Sequence, residues 1–287
     1  MYEEITTMIK NLHKQEWIFE TNIPWVSTFY KNTVEKKWPQ IYQPSLIFIS
    51  SWTKNLYLNN KKYTYWNGKL ILISSTTPII CEALKEKDKP FAWICINLNR
   101  QNLYSLIKEI KQEYKPKSKH HQLQPGILPL DINDNIQQAF SRLLSCTKDP
   151  KDAEILGPSL IREILYYTIK WKDAETFCDL ILYNKSFSIF EDIIERINRD
   201  YDKTLSIEDL IEGIDMSIST FFRQFKAFTG YSPTQYIKDL RLNQAKSLLI
   251  LKKISVKQAA KQVGYSSQSQ FSREYKRYFG YAPILEQ

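Results

Sequence analysis

Between Ser45 and Leu98 apolar positions come in short runs broken by polar pairs. SLIFIS (45–50), NLYL (55–58), KYTYW (62–66), KLILIS (69–74), TPIICEAL (77–84) and PFAWICINL (90–98) are rich in β-branched and aromatic residues. Such runs favour strands. Asn59-Asn60 and Asn67-Gly68 tolerate positive φ and read as two-residue hairpin turns. Short strands joined this way predict a small barrel or sandwich over about 41–98. After Asn99 the period lengthens to that of a helix. Leu103, Leu106, Ile107 and Ile110 share one face. Residues 114–129, with Pro116, Pro125, Gly126 and Pro129, read as a loop. Two helices follow near 131–147 and 154–171. Ile132, Ile136, Ala139, Phe140, Leu143 and Leu144 line the first; Ile155, Leu160, Ile161, Ile164 and Leu165 line the second. A shorter apolar helix covers about 173–183.

The last hundred residues carry dense helix-start signals. Ser188 with Glu191, Ser206 with Asp209, Ser232 with Gln235, Ser255 with Gln258 and Ser267 with Gln270 have capping-box spacing. Ser217 is a further N-cap candidate, and Pro233 suits a first helical position. Helices are expected near 188–200, 207–213, 218–228, 233–251, 256–262 and 268–278, with a short one after Pro283. Helices 207–213 and 218–228 form one helix-turn-helix; 256–262 and 268–278 form another. Gly264 suits the second turn, where the first has Asp215. Helix 233–251 joins the two units. The fold class is therefore α+β: a barrel with a helical pairing region over 1–184, then an all-α domain over 185–287.

The two units share a phrase. Residues 217–233 read SISTFFRQFKAFTGYSP and residues 267–283 read SQSQFSREYKRYFGYAP, with eight of seventeen positions identical. Charge follows the repeat. Residues 216–287 hold 12 Lys/Arg against 3 Asp/Glu, so the chain's whole surplus of +9 lies there. A basic segment that coincides with a repeated helical phrase fits an electrostatic footprint for phosphates on a repeating target, duplex DNA. Phe221, Phe225 and Phe228 in one copy, and Phe271, Tyr275 and Tyr278 in the other, should face inward. Ser219, Thr220, Phe222, Arg223 and Lys226 then face outward, as do Gln268, Ser269, Ser272, Arg273 and Lys276. Arg and Gln suit guanine and adenine edges; Lys226 and Lys276 suit phosphates. The competing reading of Arg223 and Arg273 is an ion pair within the domain, for instance with Glu274.

Other chemistry finds little support. No GxSxG, Gly-rich phosphate loop or HExxH occurs. The three histidines do not fall on predicted barrel strands, so neither a catalytic nor a metal site is expected, and no cofactor. Cys81, Cys95, Cys146 and Cys178 sit singly among apolar residues and read as buried thiols; a Cys81–Cys95 redox pair is the alternative. The barrel's aromatics include Trp52, Tyr63, Tyr65 and Trp93, which are candidates to line an effector pocket. No run approaches 18 apolar residues, and MYEEITTMIK lacks a signal-peptide pattern. A cytoplasmic protein without membrane contact is expected.

The segment AAKQVGYSSQSQFSREYKRYFGYAP (259–283) resembles the DNA-binding domain of the AraC/XylS family of bacterial transcription regulators. The likeness spans about 190–287. It implies two recognition helices, joined by a long helix, entering adjacent major grooves. The stretches QPSLIFIS (43–50) and RLLSCTKDPKDAEILGPSLIREILY (142–166) resemble the YqhC-type subgroup, whose N-terminal barrel is cupin-like. Ile211 and Ile214 stand where the family has Ala, Asp215 where it has Gly, and Phe222 where it has a polar residue, so the second unit is expected to read bases more than the first. The resemblance implies a regulator, an activator by preference. It implies a homodimer acting with RNA polymerase on double-stranded DNA, with a small-molecule effector in the barrel. The alternatives are control by a protein partner or by cysteine redox state, and an alkylation-repair enzyme, which would need an activated thiol.

Overall fold

The structure is a computed structural model. It describes residues 2–14, 16–32, 37–58, 61–74, 76–84, 89–110, 127–170, 175, 178 and 185–286. The chain forms two compact units. The first comprises residues 1–37, 43–75 and 81–185; the second comprises 38–42, 76–80 and 186–287.

The first unit opens with α1 (Tyr2–Leu12), whose Ile5 and Ile9 are fully buried. Among the described residues the strands are β1 (Trp17–Glu20), β2 (Val26–Lys31), β3 (Trp38–Tyr42), β4 (Ser45–Ser51), β5 (Thr53–Leu58), β6 (Lys61–Tyr65), β7 (Lys69–Ile73), β8 (Thr77–Leu84), β9 (Phe91–Asn97) and β10 (Ile127–Asp131), of which β3 and the start of β8 fall in the second unit. They make a six-stranded sheet ordered β1-β2-β9-β4-β7-β10 and a four-stranded sheet ordered β3-β8-β5-β6. The six strand runs expected over 45–98 are all present. Three strands precede them, and β10 covers residues 127–129, which were expected to be loop. The rest of that loop, and most of the expected helix 173–183, lie outside the described residues. The Asn67-Gly68 hairpin is not formed: β6 and β7 belong to different sheets, and the turn carries the chain from one to the other. Gly68 keeps the left-handed φ of +84° the turn needs. Asn59-Asn60 is outside the described residues, between β5 and β6, which do pair from Leu58↔Lys61 onward.

Antiparallel pairing puts opposite residues on one face. One face of the larger sheet carries Leu46, Phe48, Leu70, Leu72, Ile94 and Ile96, all buried. The unit also contains α2 (Arg100–Ile110), α3 (Asp134–Cys146) and α4 (Pro150–Lys170). Phe48 stacks on Phe140 at 5.1 Å, so α3 covers this face of the sheet. Asn133 caps α3, accepting from the Ile136 amide. The buried face of α4 is Ala153, Gly157, Ile164, Leu165, Thr168 and Ile169. Ile155, expected inside, is 68% exposed. The reason is close approach: a Cβ on Gly157 would lie 2.8 Å from the Ile23 side chain, so small residues face inward there. Arg142 binds both carboxylate oxygens of Glu163 at 2.6 and 2.7 Å and so pins α3 to α4.

The second unit contains α5 (Lys185–Asp200), α6 (Ile207–Ile211), α7 (Ile218–Thr229), α8 (Pro233–Lys252), α9 (Val256–Gln262), α10 (Gln268–Phe279) and a 3-10 turn (Pro283–Glu286). Ser206, Ser217, Ser232, Ser255 and Ser267 are N-caps, and Ser255 with Gln258 completes a capping box. Ser188 is not a cap, since α5 already begins at Lys185. Two hydrophobic cores flank α8. Phe190, Ile194, Ile197, Leu210, Phe221 and Phe225 pack with Tyr236 and Leu240 in the first. Ala259, Val263, Phe271, Tyr275 and Phe279 pack with Leu242, Ala245 and Leu249 in the second. The first turn does use a glycine: Gly213, at φ +76°, takes the role expected of position 215. In the second turn Gly264 is at φ +82°, and an added Cβ would lie 2.4 Å from the Asp202 carbonyl oxygen. Arg241 ties the same corner, donating to the carbonyls of Tyr201 at 2.7 Å and Lys203 at 2.8 Å.

The packing around these glycines separates two costs. Gly280 is also left-handed, at φ +90°, but its Cβ position is open. Gly280→Ala should cost about 1 kcal/mol, the conformational term alone. Gly264→Ala should cost at least about 2 kcal/mol more, because the neighbouring backbone must move. Urea unfolding of the two variants measures the difference, and equal losses would remove the steric argument. Buried charge gives another test, at Asp239, 2% exposed on α8. Burial, with like charge from Glu274, pushes its carboxyl up to about 6, against the Gln235 hydrogen bond at 2.6 Å and Lys238. The folded state then holds an extra proton between about pH 4 and 6, so stability falls as pH rises through that window. Asp239→Asn should gain about 1–3 kcal/mol at pH 7 and little at pH 4. A gain independent of pH would contradict this.

Candidate nucleic-acid interface

The repeated phrase builds the same object twice. Each copy begins with a serine N-cap: Ser217 Oγ accepts from the Thr220 amide and Ser267 Oγ from the Gln270 amide, both at 3.3 Å. Each ends with a left-handed glycine whose amide donates back to a lysine carbonyl, Gly230 to Lys226 and Gly280 to Lys276, both at 2.8 Å. Each is followed by a buried proline, Pro233 or Pro283, that opens the next helical segment. Helices α7 and α10 are 12 residues each.

Rotation about each axis is set by two fully buried aromatics, Phe221 and Phe225 in α7 and Phe271 and Tyr275 in α10. Phe228 and Tyr278 are only partly buried. A residue two positions after the first aromatic is turned about 200° away. Arg223 and Arg273 occupy those positions, and both are exposed. Lys226 and Lys276 are exposed one turn further on. Among the described residues neither arginine makes an ion pair. Glu274 is engaged by the Tyr265 hydroxyl at 2.9 Å and by Gln270 at 3.3 Å.

The two outward faces are not equal. In α7 the Ser219 and Thr220 hydroxyls lie 3.2 and 3.0 Å from Ser217 Oγ, drawn into the cap. Phe222 does not point freely outward: it is half-buried, packs against the first core and meets Phe221 edge-on at 6.1 Å. Its large apolar ring finds cover where its counterpart Ser272 needs none. In α10 Gln268 and Ser269 are exposed, and Ser272 is half-buried. Sequence reasoning passed over Arg277, Lys257 and Lys261, which are also exposed on the second unit. Their signal was the local charge excess.

In the first unit the aromatic candidates separate. Trp52 is fully buried, and its indole N–H donates to the Lys89 carbonyl at 2.6 Å. Tyr65 and Trp93 are 1% and 7% exposed, and Tyr63 is half-buried. None of the four cysteines is in a disulfide, and all are buried. Cys81 and Cys95 lie on strands of different sheets, and burial pushes the Cys95 thiol up to about 12, so it is not activated. His13 has a structural place, 2.9 Å from the Thr28 hydroxyl and packed beside Phe19 and Tyr30. No helix among the described residues is long and apolar enough to cross a membrane.

Comparison with known proteins agrees with this geometry. Residues 22–175 match the AraC-type transcriptional regulator N-terminus family, and residues 210–284 match a helix-turn-helix domain family. The chain is 28% identical over 153 residues to the raffinose operon transcriptional regulatory protein RafR of Pediococcus pentosaceus, covering 53% of this chain and 54% of that one. It is 26% identical over 163 residues to the lactose operon transcription activator of Staphylococcus xylosus, with the same coverage. The chain thus spans about half the length of the curated relatives it matches. The solved structure of an apo ToxT variant from Vibrio cholerae superposes with a TM-score of 0.67 at 14% identity, covering 93% of this chain and 98% of that one. Unsaturated fatty acid bound wild-type ToxT gives 0.61 at 12% identity, covering 94% and 95%. These two show the shared fold. With more than half of its length matched by the N-terminal family, the chain belongs to the AraC-type transcriptional regulators.

Proposed function

We propose that this chain is a sequence-specific DNA-binding regulator that lays α7 and α10 into adjacent major grooves. The observation that carries the reading is the duplicated helix: same caps, same buried aromatics, same exposed Arg and Lys. The connecting helix α8 has 20 residues, about 30 Å at 1.5 Å per residue. One turn of DNA is about 34 Å, so both helices can address one face of the duplex. Arg273, Gln268, Ser269 and Ser272 read bases; Lys276 and Lys226 hold phosphates; Arg223 reads less, with Ser219 and Thr220 tied to the cap and Phe222 to the core. Residues 185–287 act as the DNA-binding domain and residues 1–184 as the sensing and pairing domain. Exposed Ile155 and Leu156 on α4 favour pairing of two chains through that helix. Activation through RNA polymerase, in the cytoplasm and under a small-molecule effector, completes the reading.

Arg273→Ala should lower affinity for the specific site by about 1–3 kcal/mol and relax preference at one base pair. Arg223→Ala should lose less. Lys276→Ala should weaken specific and random DNA alike and reduce the salt slope by about one. Anisotropy titrations at several salt concentrations measure all three. If Arg273→Ala weakens random and specific DNA equally, α10 does not read bases.

A further inference from the structure

Gln270 has the spacing of a capping-box residue after the Ser267 N-cap, but its side chain goes elsewhere. Its backbone amide donates to Ser267 Oγ at 3.3 Å, as a cap requires, while its Nε2 runs forward along α10 and donates to Glu274 Oε1 at 3.3 Å. Gln258 makes the other choice at the start of α9, where its Oε1 accepts from the Ser255 amide at 3.0 Å. Four residues beyond Gln258 stands a neutral amide, Gln262. Four beyond Gln270 stands a carboxylate, and bonds to a charged acceptor are the stronger ones.

Glu274 is itself held. Its Oε2 accepts from the Tyr265 hydroxyl at 2.9 Å. Tyr265 follows the left-handed Gly264, and its amide donates back to the Ala260 carbonyl at 2.9 Å, so the turn fixes its place. Its ring meets the fully buried Phe271 edge-on at 5.3 Å. A chain of hydroxyl, carboxylate and amide thus runs from the second core to the exposed side of α10. The chain has a direction. A carboxylate has no hydrogen to give, so Gln270 presents Nε2 to it and turns its amide oxygen away. At about 100° per residue, Gln270 lies about 60° from Arg273 around the axis and about 20° from Arg277. These three exposed side chains form one stripe, on the side away from Phe271 and Tyr275. The first copy has no such chain. Thr220, Gln224 and Asp215 stand at the corresponding positions, and the Thr220 hydroxyl is drawn to Ser217 Oγ.

We propose that Gln270 is a further specificity-determining residue of α10, reading one adenine, and that Glu274, held by Tyr265, sets the direction of its amide. In the major groove adenine presents the N6 donor and the N7 acceptor, whereas guanine presents two acceptors, O6 and N7. An amide oxygen facing the groove matches N6, and the second N–H of the same amide matches N7. To meet guanine with both hydrogens the amide must turn over, which sets its oxygen against the Glu274 carboxylate. A freely turning glutamine accommodates either purine; the clamped one rejects guanine. Glu274 is a positioning residue here and touches no base. This rests on the reading of α10 as a base-reading helix and gives that helix one more residue and the base it takes.

Selecting bound sequences from a random duplex library tests this with the full chain and its variants. The unsubstituted chain should prefer adenine to guanine about tenfold or more at one position. Gln270→Ala should remove that preference and keep the one set by Arg273; Arg273→Ala should do the reverse. Glu274→Gln is isosteric, but its side chain can both donate and accept, so the Gln270 amide is released. The adenine-to-guanine ratio at that position should fall below about threefold. Loss of a negative charge should also tighten binding to every sequence alike, and that general change divides out of the ratio. Tyr265→Phe should lower the ratio by less. Circular dichroism checks folding; should Glu274→Gln not fold, Tyr265→Phe decides in its place, and an unchanged ratio overturns the proposal. It is equally overturned if no position prefers adenine, if Gln270→Ala leaves the selected sequences unchanged, or if the ratio survives Glu274→Gln. An unsubstituted chain that selects no sequence takes the regulator reading down as well. If Arg273→Ala alters the selection and Gln270→Ala does not, only the role of Gln270 is lost.

Discussion

Burying Phe221 with Phe225, and Phe271 with Tyr275, fixes how each duplicated helix is rotated about its own axis. Two fully buried rings one turn apart leave no other face that can point inward. Each ring removes roughly 150–250 Å² from water, which at about 25 cal/mol per Å² amounts to several kcal/mol per pair before entropy is counted. The alternative rotation would bury Arg223 or Arg273 instead, and an unpaired buried guanidinium costs more than the rings gain. The exposure of both arginines is thus a consequence of the core and requires no contact of their own. Serine caps and left-handed glycines then limit each helix to 12 residues.

The two cores that hold these helices differ in chemistry. The first is aromatic and aliphatic, with Phe190 within 6.2 Å of Phe221, Phe225 and Phe228. The second contains a buried ion pair, Lys246 with Glu286 at 3.4 Å, their side chains 5% and 10% exposed. Glu286 also accepts from the hydroxyls of Tyr275 at 2.9 Å and Tyr281 at 2.6 Å. Tyr275 in the second copy stands where Phe225 stands in the first, so one oxygen separates a hydrocarbon core from a polar network. The network ties α10 to the turn that follows it. Its geometry is directional, whereas stacked rings tolerate sliding. That gives the second helix the more firmly held outward face, which is also the face with the freer polar side chains.

The helical unit was legible because its signals are local. A serine with a glutamine or an amide donor three positions later marks a helix start, and a left-handed glycine marks its end. Where the reading erred it did so by short range. Position 213 supplied the glycine sought at 215, and Ser188 had cap spacing inside a helix already begun. The sheets were legible as strands but not as an order. Strand β9 lies between β2 and β4, and β7 between β4 and β10; neither neighbour follows from adjacent sequence. Asn67-Gly68 has hairpin chemistry, yet joins two sheets, since a left-handed glycine turns a chain without dictating what it pairs with. Helix α4 shows the same limit. Its apolar period was read correctly, but the inward face was chosen by Gly157 and Ala153 and not by Ile155.

Helix α8 joins the two duplicated helices by contributing to the core beside each. Its first half gives Tyr236, Ile237 and Leu240 to one core, and its second half gives Leu242, Ala245 and Leu249 to the other. A helix buried on changing sides has no single apolar stripe. The same arrangement couples spacing to phase. Along a continuous helix each residue adds about 1.5 Å and about 100°, so distance and rotation between the two cores cannot be altered independently. Duplex DNA imposes the same kind of coupling on its grooves. A rod that fixes both quantities together therefore commits the pair of helices to one spacing and one relative phase.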